Sequence, residues 1–138
     1  MANYLLDMPF VADTALGSAA TGPDLATSYD YFVGVKIGTA DDHVTAVTGV
    51  TDNVIGVAQQ RVATADAGTQ VIDVRVLGVT KWLVGTGGVT RGTPVNIDAT
   101  GKVVAAGGTG TRSVGLAMRT GAAGDIVGVL ITPGGRVP

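Results

Sequence analysis

From about Val33 to the C-terminus, the chain never sustains an apolar period long enough for a helix. Short runs of Val and Ile ("YFVGVKIG", "VIGVAQQRV", "QVIDVRVLGV", "DIVGVLIT") alternate with clusters of Gly, Asp and Thr ("TADD", "TDN", "GTGGVTRG", "TGAAG"). Strands at this spacing, separated by turn residues, predict a small barrel or sandwich. Composition points the same way. All eleven acidic residues are Asp and none is Glu, while Val, Thr, Gly and Ala dominate. Val and Thr favour the pleated surface of a sheet, whereas Gly and Asp favour turns. The predicted fold is therefore all-β.

A second pattern lies on top of the first. Val44–Ala58 ("VTAVTGVTDNVIGVA") aligns without a gap on Val103–Ala117 ("VVAAGGTGTRSVGLA"), so that Gly49 meets Gly108, Gly56 meets Gly115 and Ala58 meets Ala117. Upstream, "VKI" answers "VNI"; downstream, "ADAGTQVIDVRV" answers "GAAGDIVGVLI". We read two similar β-units, about 33–84 and 85–138, within one β-domain spanning 33–138. In "hGhA" the Gly marks a bulge or a close backbone approach, and the small Ala permits tight packing beside it.

Residues 1–32 differ. They contain Tyr4, Phe10, Tyr29, Tyr31 and Phe32, every aromatic in the chain except Trp82, and four Asp with no Lys or Arg. This segment reads as an extended N-terminal arm preceding the β-domain. Its aromatics either anchor an interface, as aromatics commonly do, or complete the domain's own core. If they anchor an interface, deleting Met1–Ala20 should weaken attachment and leave the melting of the β-domain unchanged.

Little in the chain can do chemistry. No cysteine is present, which excludes disulfides and thiolate chemistry. The single histidine, His43, stands in "ADDHV", where a solvated turn is the simpler reading than a metal site with Asp41 and Asp42. "GTGGVTRG" and "GGTGTRSVG" lack the Gly-Lys-Ser/Thr ending of a phosphate loop. "GLAMRTG" brushes against the carrier turn of biotinyl domains, but Arg119 stands where a lysine is required. We expect no catalytic residue, no metal, no cofactor and no small-molecule substrate: the protein is not an enzyme. A net charge of −2 gives no reason to expect nucleic acid as a partner, and no apolar run suggests a membrane span or a secretory signal. The arginines Arg61, Arg75, Arg91, Arg112 and Arg119 form a scattered surface, or a basic face for an acidic partner if the fold gathers them.

The stretch Gly87–Ile131, "GGVTRGTPVNIDATGKVVAAGGTGTRSVGLAMRTGAAGDIVGVLI", resembles the small capsid cement (decoration) proteins of tailed bacteriophages. The resemblance rests on Gly92, Val95, Asp98, Gly101, Lys102 and Val103, then Val114–Ala117, Ala122–Asp125 and Ile126–Ile131. The first half fits more loosely, through "VIGVA" and "VIDVRVLGV", and the arm departs from the family pattern. The resemblance implies a structural virion protein, made in the host cytoplasm and often a homotrimer. Such a protein binds the major capsid protein on the outer surface of the expanded shell, bridges neighbouring subunits and resists the pressure of packaged DNA. The alternative is an adhesin-like, glycan-binding β-module of a phage tail or cell surface, with Trp82 as the one stacking candidate outside the arm.

Overall fold

A computed structural model describes residues 6–16, 32–108, 110 and 112–137. Ten strands carry the described chain: β1 (Leu6–Ala12), β2 (Gly34–Ile37), β3 (His43–Ala46), β4 (Val54–Ala58), β5 (Val71–Leu77), β6 (Val79–Leu83), β7 (Pro94–Ile97), β8 (Val103–Ala105), β9 (Arg112–Ala117) and β10 (Ile126–Arg136). A single 3-10 turn, Thr64–Asp66, separates β4 from β5. No α-helix occurs among the described residues. The fold is all-β.

Strands β1-β3-β2-β4-β5 close into a five-stranded barrel. β1 completes it, running antiparallel to β5 and parallel to β3. The second sheet has the order β6-β10-β9-β7-β8. A parallel bridge between Val84 and Val103 brings its two ends together, and the Gly85 amide donates to the Val103 carbonyl at 2.7 Å. The second unit therefore repeats the strand order of the first, with β6 answering β1, β7 answering β2, and so on to β10 and β5.

The repetition extends to individual residues. Val35 pairs with Ala46 and Ile37 with Val44, just as Val95 pairs with Ala105 and Ile97 with Val103. Val35 also faces Gly56, as Val95 faces Gly115. Ala58 opposes Val74, and Ala117 opposes Val129. On the closing strands, Phe10 opposite Ile72 occupies the place of Trp82 opposite Val127. Outside the strands, the bridge Leu16–Val62 matches the bridge Val89–Gly121.

Two sequence readings are corrected here. Leu6–Ala12 is not an arm. Its Ala12 is fully buried, and its backbone bonds to β5 and β3 seal the first barrel. The period of "LDMPFVA" was hidden because Asp7 and Pro9 occupy its outward face, where an ion pair and an exposed proline are tolerated. The boundary between the units also moves, because Val79–Leu83 pairs with β10 in the second sheet. It falls at Gly78 instead of near Val84.

Alternation explains where the cores lie. In β5, Ile72 and Val74 point inward while Asp73 points to solvent, the period of two expected of a half-buried strand. The first barrel is filled by Leu16, Val35, Val44, Val62, Ile72 and Val74. The core of the second unit is built around Trp82, with Ile97, Val103 and Val129. Three residues of the first unit, Phe32, Val47 and Val57, belong to this second cluster.

Candidate functional site

The sequence points to surfaces rather than to a reaction centre, so the site is built from what the two units cover and what they leave open. Between the units the packing is close. The Gly34 amide donates to the Gly101 carbonyl at 2.8 Å, and Trp82 Nε1 donates to the same oxygen at 2.8 Å. A side chain at Gly34 would stand 3.1 Å from the Trp82 ring, so glycine lets the strand lie against the indole. Arg112 reaches across from β9 and donates to the carbonyls of Thr51 and Asp52 and to Asn53 Oδ1, at 2.7–2.8 Å. The void left between Val54, Gly56, Trp82, Arg112, Val114 and Ile131 is only about 10 Å³.

The predicted contact residues fall in different places. Tyr4, Tyr29 and Tyr31 lie outside the described residues. Phe32 is buried within the molecule. Its carbonyl accepts the Leu83 amide at 2.8 Å, and Lys81 Nζ lies 5.7 Å from the centre of its ring. The reading of Phe32 as an arm residue contacting a partner is thus corrected: it joins one unit to the other. Phe10 is half-buried on β1. It lines a shallow depression of about 380 Å³ with Met8, Pro9, Val11, Asp42 and Val71.

The repeat glycines also divide. A Cβ on Gly56 would meet the Arg75 carbonyl at 2.5 Å, and a Cβ on Gly115 would collide with the Leu130 carbonyl. Both positions exclude any larger residue. A Cβ added to Gly49 or to Gly108 would meet nothing within 4 Å, so close packing does not explain them.

Large apolar side chains remain exposed on two surfaces. On the outer face of the second sheet, the strand pairings align Val79, Leu130, Leu116 and Pro94 in one row across β6, β10, β9 and β7. Met118 lies beside this row, next to Gly128 and 49% exposed. At the open end of the first barrel, around the Phe10 depression, Val71 is 59% exposed; Ile37, the last residue of β2, is 60% exposed. A separate depression of about 560 Å³ is lined by Gly87–Thr90, Ala105 and Thr120–Ala123, with no ionisable side chain among them.

Charged groups serve mainly to fasten turns. Asp13 accepts from Thr39 N at 2.8 Å and Thr39 Oγ1 at 3.1 Å, and its other oxygen meets His43 Nδ1 at 2.5 Å. The His43 hydrogen bond, supported by Thr39, holds the Asp13 carboxyl below the usual carboxylate range. This latch ties the turn between β2 and β3 to the end of β1. In the second unit Asp98 fastens the corresponding turn, accepting from Thr100 N at 2.8 Å, Thr100 Oγ1 at 2.7 Å and Lys102 N at 3.1 Å. The two latches have exchanged sides. Asp13 lies over Gly38, whereas Asp98 lies over Gly85, in the place that Asp13 holds in the first unit.

Asp52 caps the turn after β3, accepting from Thr48 N and Gly49 N at 2.8 and 3.0 Å and pairing with Lys36 Nζ at 2.8 Å. The Lys36 hydrogen bond, with the turn amides, pulls its carboxyl down to about 2. Asp7 and Arg75 form a two-pronged pair at 2.6 and 2.8 Å, which lowers the first and raises the second. Arg75 and Arg112 are thus engaged within the chain and do not join a basic face. Among the described residues, no group of three potential metal ligands converges.

The architecture defines a class: a duplicated all-β protein of two fused five-stranded units. No family model matches the sequence, and no curated protein matches it. Among solved structures, the chain is similar to the head fiber gp8.5 N base of bacteriophage phi29. That similarity covers 93% of this chain and 94% of the other, with a TM-score of 0.60 and 14% sequence identity. At this identity the likeness is one of fold.

Proposed function

We propose that this protein is a structural component of a tailed-bacteriophage head. It binds the outer surface of the expanded capsid and bridges neighbouring copies of the major capsid protein. The observation that carries the reading is the shared fold: over almost its whole length the chain follows the base of a phage head fiber. The resemblance of Gly87–Ile131 to capsid cement proteins, reached from sequence alone, supports the same reading.

The mechanism is additive binding energy without a reaction. Each contact of a standard interface buries on the order of 800 Å² per partner. Linking the copies into a homotrimer raises the effective concentration of every further contact, so modest interfaces give slow release. The exposed apolar rows supply surface of the kind that marks an interaction site. His43 serves as a latch and not as a base in this reading, and the protein is not an enzyme.

The glycan-binding alternative loses its stacking candidate outside residues 1–32. Trp82 is fully buried and its indole N–H is engaged, so it presents no face to a sugar.

Co-sedimentation with expanded, undecorated capsids of the cognate phage tests the proposal. Saturable binding, absent with unexpanded shells, is the expected result. A folded protein that stays in the supernatant would overturn it.

A further inference from the structure

The internal duplication allows every surface of one unit to be compared with its counterpart in the other, and two surfaces differ sharply. In the second unit, the end of the sheet marked by Trp82, Ile97 and Gly101 lies against the first unit, and Ile97 is 1% exposed. The matching end of the first unit carries Phe10, Ile37 and Asp42, and there Ile37 is 60% exposed. In the first unit, the row Gly34–Val57 on β2 and β4 is buried against Trp82 and its neighbours. Its counterpart, Pro94–Leu116 on β7 and β9, continues into the exposed row of Leu130 and Val79, where the first unit has the ion pair Arg75–Asp7. The molecule thus has one surface of each kind satisfied internally and one of each kind left open.

We infer that copies of this chain join head to tail. The outer face of the second unit, around Pro94, Leu116 and Leu130, docks on the open barrel end of the next copy, around Phe10, Ile37 and Val71. This contact repeats between chains the one that already joins the two units within a chain. Side-chain sizes fit the repetition. Inside the chain the large Trp82 ring meets Gly34; between chains the smaller Phe10 ring meets the larger Pro94. Proline has no amide hydrogen, so the bond from Gly34 to Gly101 has no counterpart, and the contact between copies is chiefly apolar. Arg75 and Asp7 become Leu130 and Val79 in the second unit, which suits a surface that must lose its water.

A contact between two different surfaces is heterologous, and it continues until a ring closes or a filament forms. The inference goes beyond capsid attachment and is measured without capsids, so the two can fail separately.

The test uses the full chain and two variants at exposed positions: Ile37→Asp for the barrel end and Leu130→Asp for the sheet face. Sedimentation velocity should show the wild type assembled and each variant monomeric, with circular dichroism unchanged. Mixing the two variants at equal concentration should restore a dimer, because each supplies the surface that the other lacks. Three results would overturn the inference: a monomeric wild type at high concentration, a variant that still assembles alone, or a mixture that stays monomeric. Val71→Asp and Met118→Asp provide a second pair should either first variant fail to fold.

Discussion

Gly56 and Gly115 hold the same position in the two units. Each faces the central valine of the neighbouring strand, Val35 or Val95, and each lies against a carbonyl of the strand on its other side, Arg75 or Leu130. Backbone cannot retreat as a flexible side chain can. Gly115→Ala and Gly56→Ala should therefore each destabilise the protein by about 1–3 kcal/mol, the usual cost of forcing extra volume into packed structure. Gly49→Ala and Gly108→Ala, whose added methyl group would meet nothing within 4 Å, should stay within about 0.5 kcal/mol of wild type. Chemical denaturation of the four variants separates the two pairs.

Acid should loosen the turn after β3. The Asp52 carboxyl is held at about 2 in the folded chain, against an ordinary value of 3.8. A carboxylate lowered on folding contributes stability that is fully present above the unfolded value and is lost as pH falls through the folded one. The contribution of Asp52 should therefore decline between about pH 4 and pH 2. Asp52→Asn should lower the denaturation midpoint at pH 7, and its difference from wild type should shrink as the pH approaches 2. A difference that stays constant down to pH 2 would contradict this account.

Deleting residues 1–12 should open the first barrel. Without β1, the backbones of β3 and β5 become unpaired edges, and such edges invite association with other chains. Hydrogen exchange is the direct measurement: amide protection at Val44 and Val74 should collapse, while Val103 and Val129 in the second unit retain theirs. Unchanged protection at Val44 would show that β1 is dispensable.

Trp82 offers a built-in optical probe. It is the single tryptophan, fully buried, with its N–H bonded to the Gly101 carbonyl. Its emission should be blue-shifted in the native protein and move to the red on unfolding. Trp82→Ala removes a ring that supports both the second core and the junction with the first unit. A loss of about 3–5 kcal/mol is expected.

Much of the fold was legible because period and punctuation are local properties. The alternation in "QVIDVRV" and the parallel spacing of the "hGhA" stretches survive any reading of the chain. The first strand was not legible, since its outward residues are an aspartate whose partner lies 68 positions away and a proline that reads as a breaker. The surfaces were not legible either. Leu116 and Leu130 look like core residues in sequence, and only the strand order shows that they share an outer face with Val79 and Pro94. Phe32 was misread for the converse reason: its burial depends on a second unit that the local sequence does not announce.

The exchanged latches bear on how a duplicated chain tells its own halves apart. If β6 were to occupy the place of β1 during folding, Gly85 would lie over Gly38 and the corner would have no carboxylate to receive its amides. If β1 were to occupy the place of β6, Asp13 would be driven against Asp98, and two negative charges would share a space that holds one. Each wrong pairing is penalised at a single corner. Two halves with the same strand order and register are thereby distinguished by where one carboxylate sits.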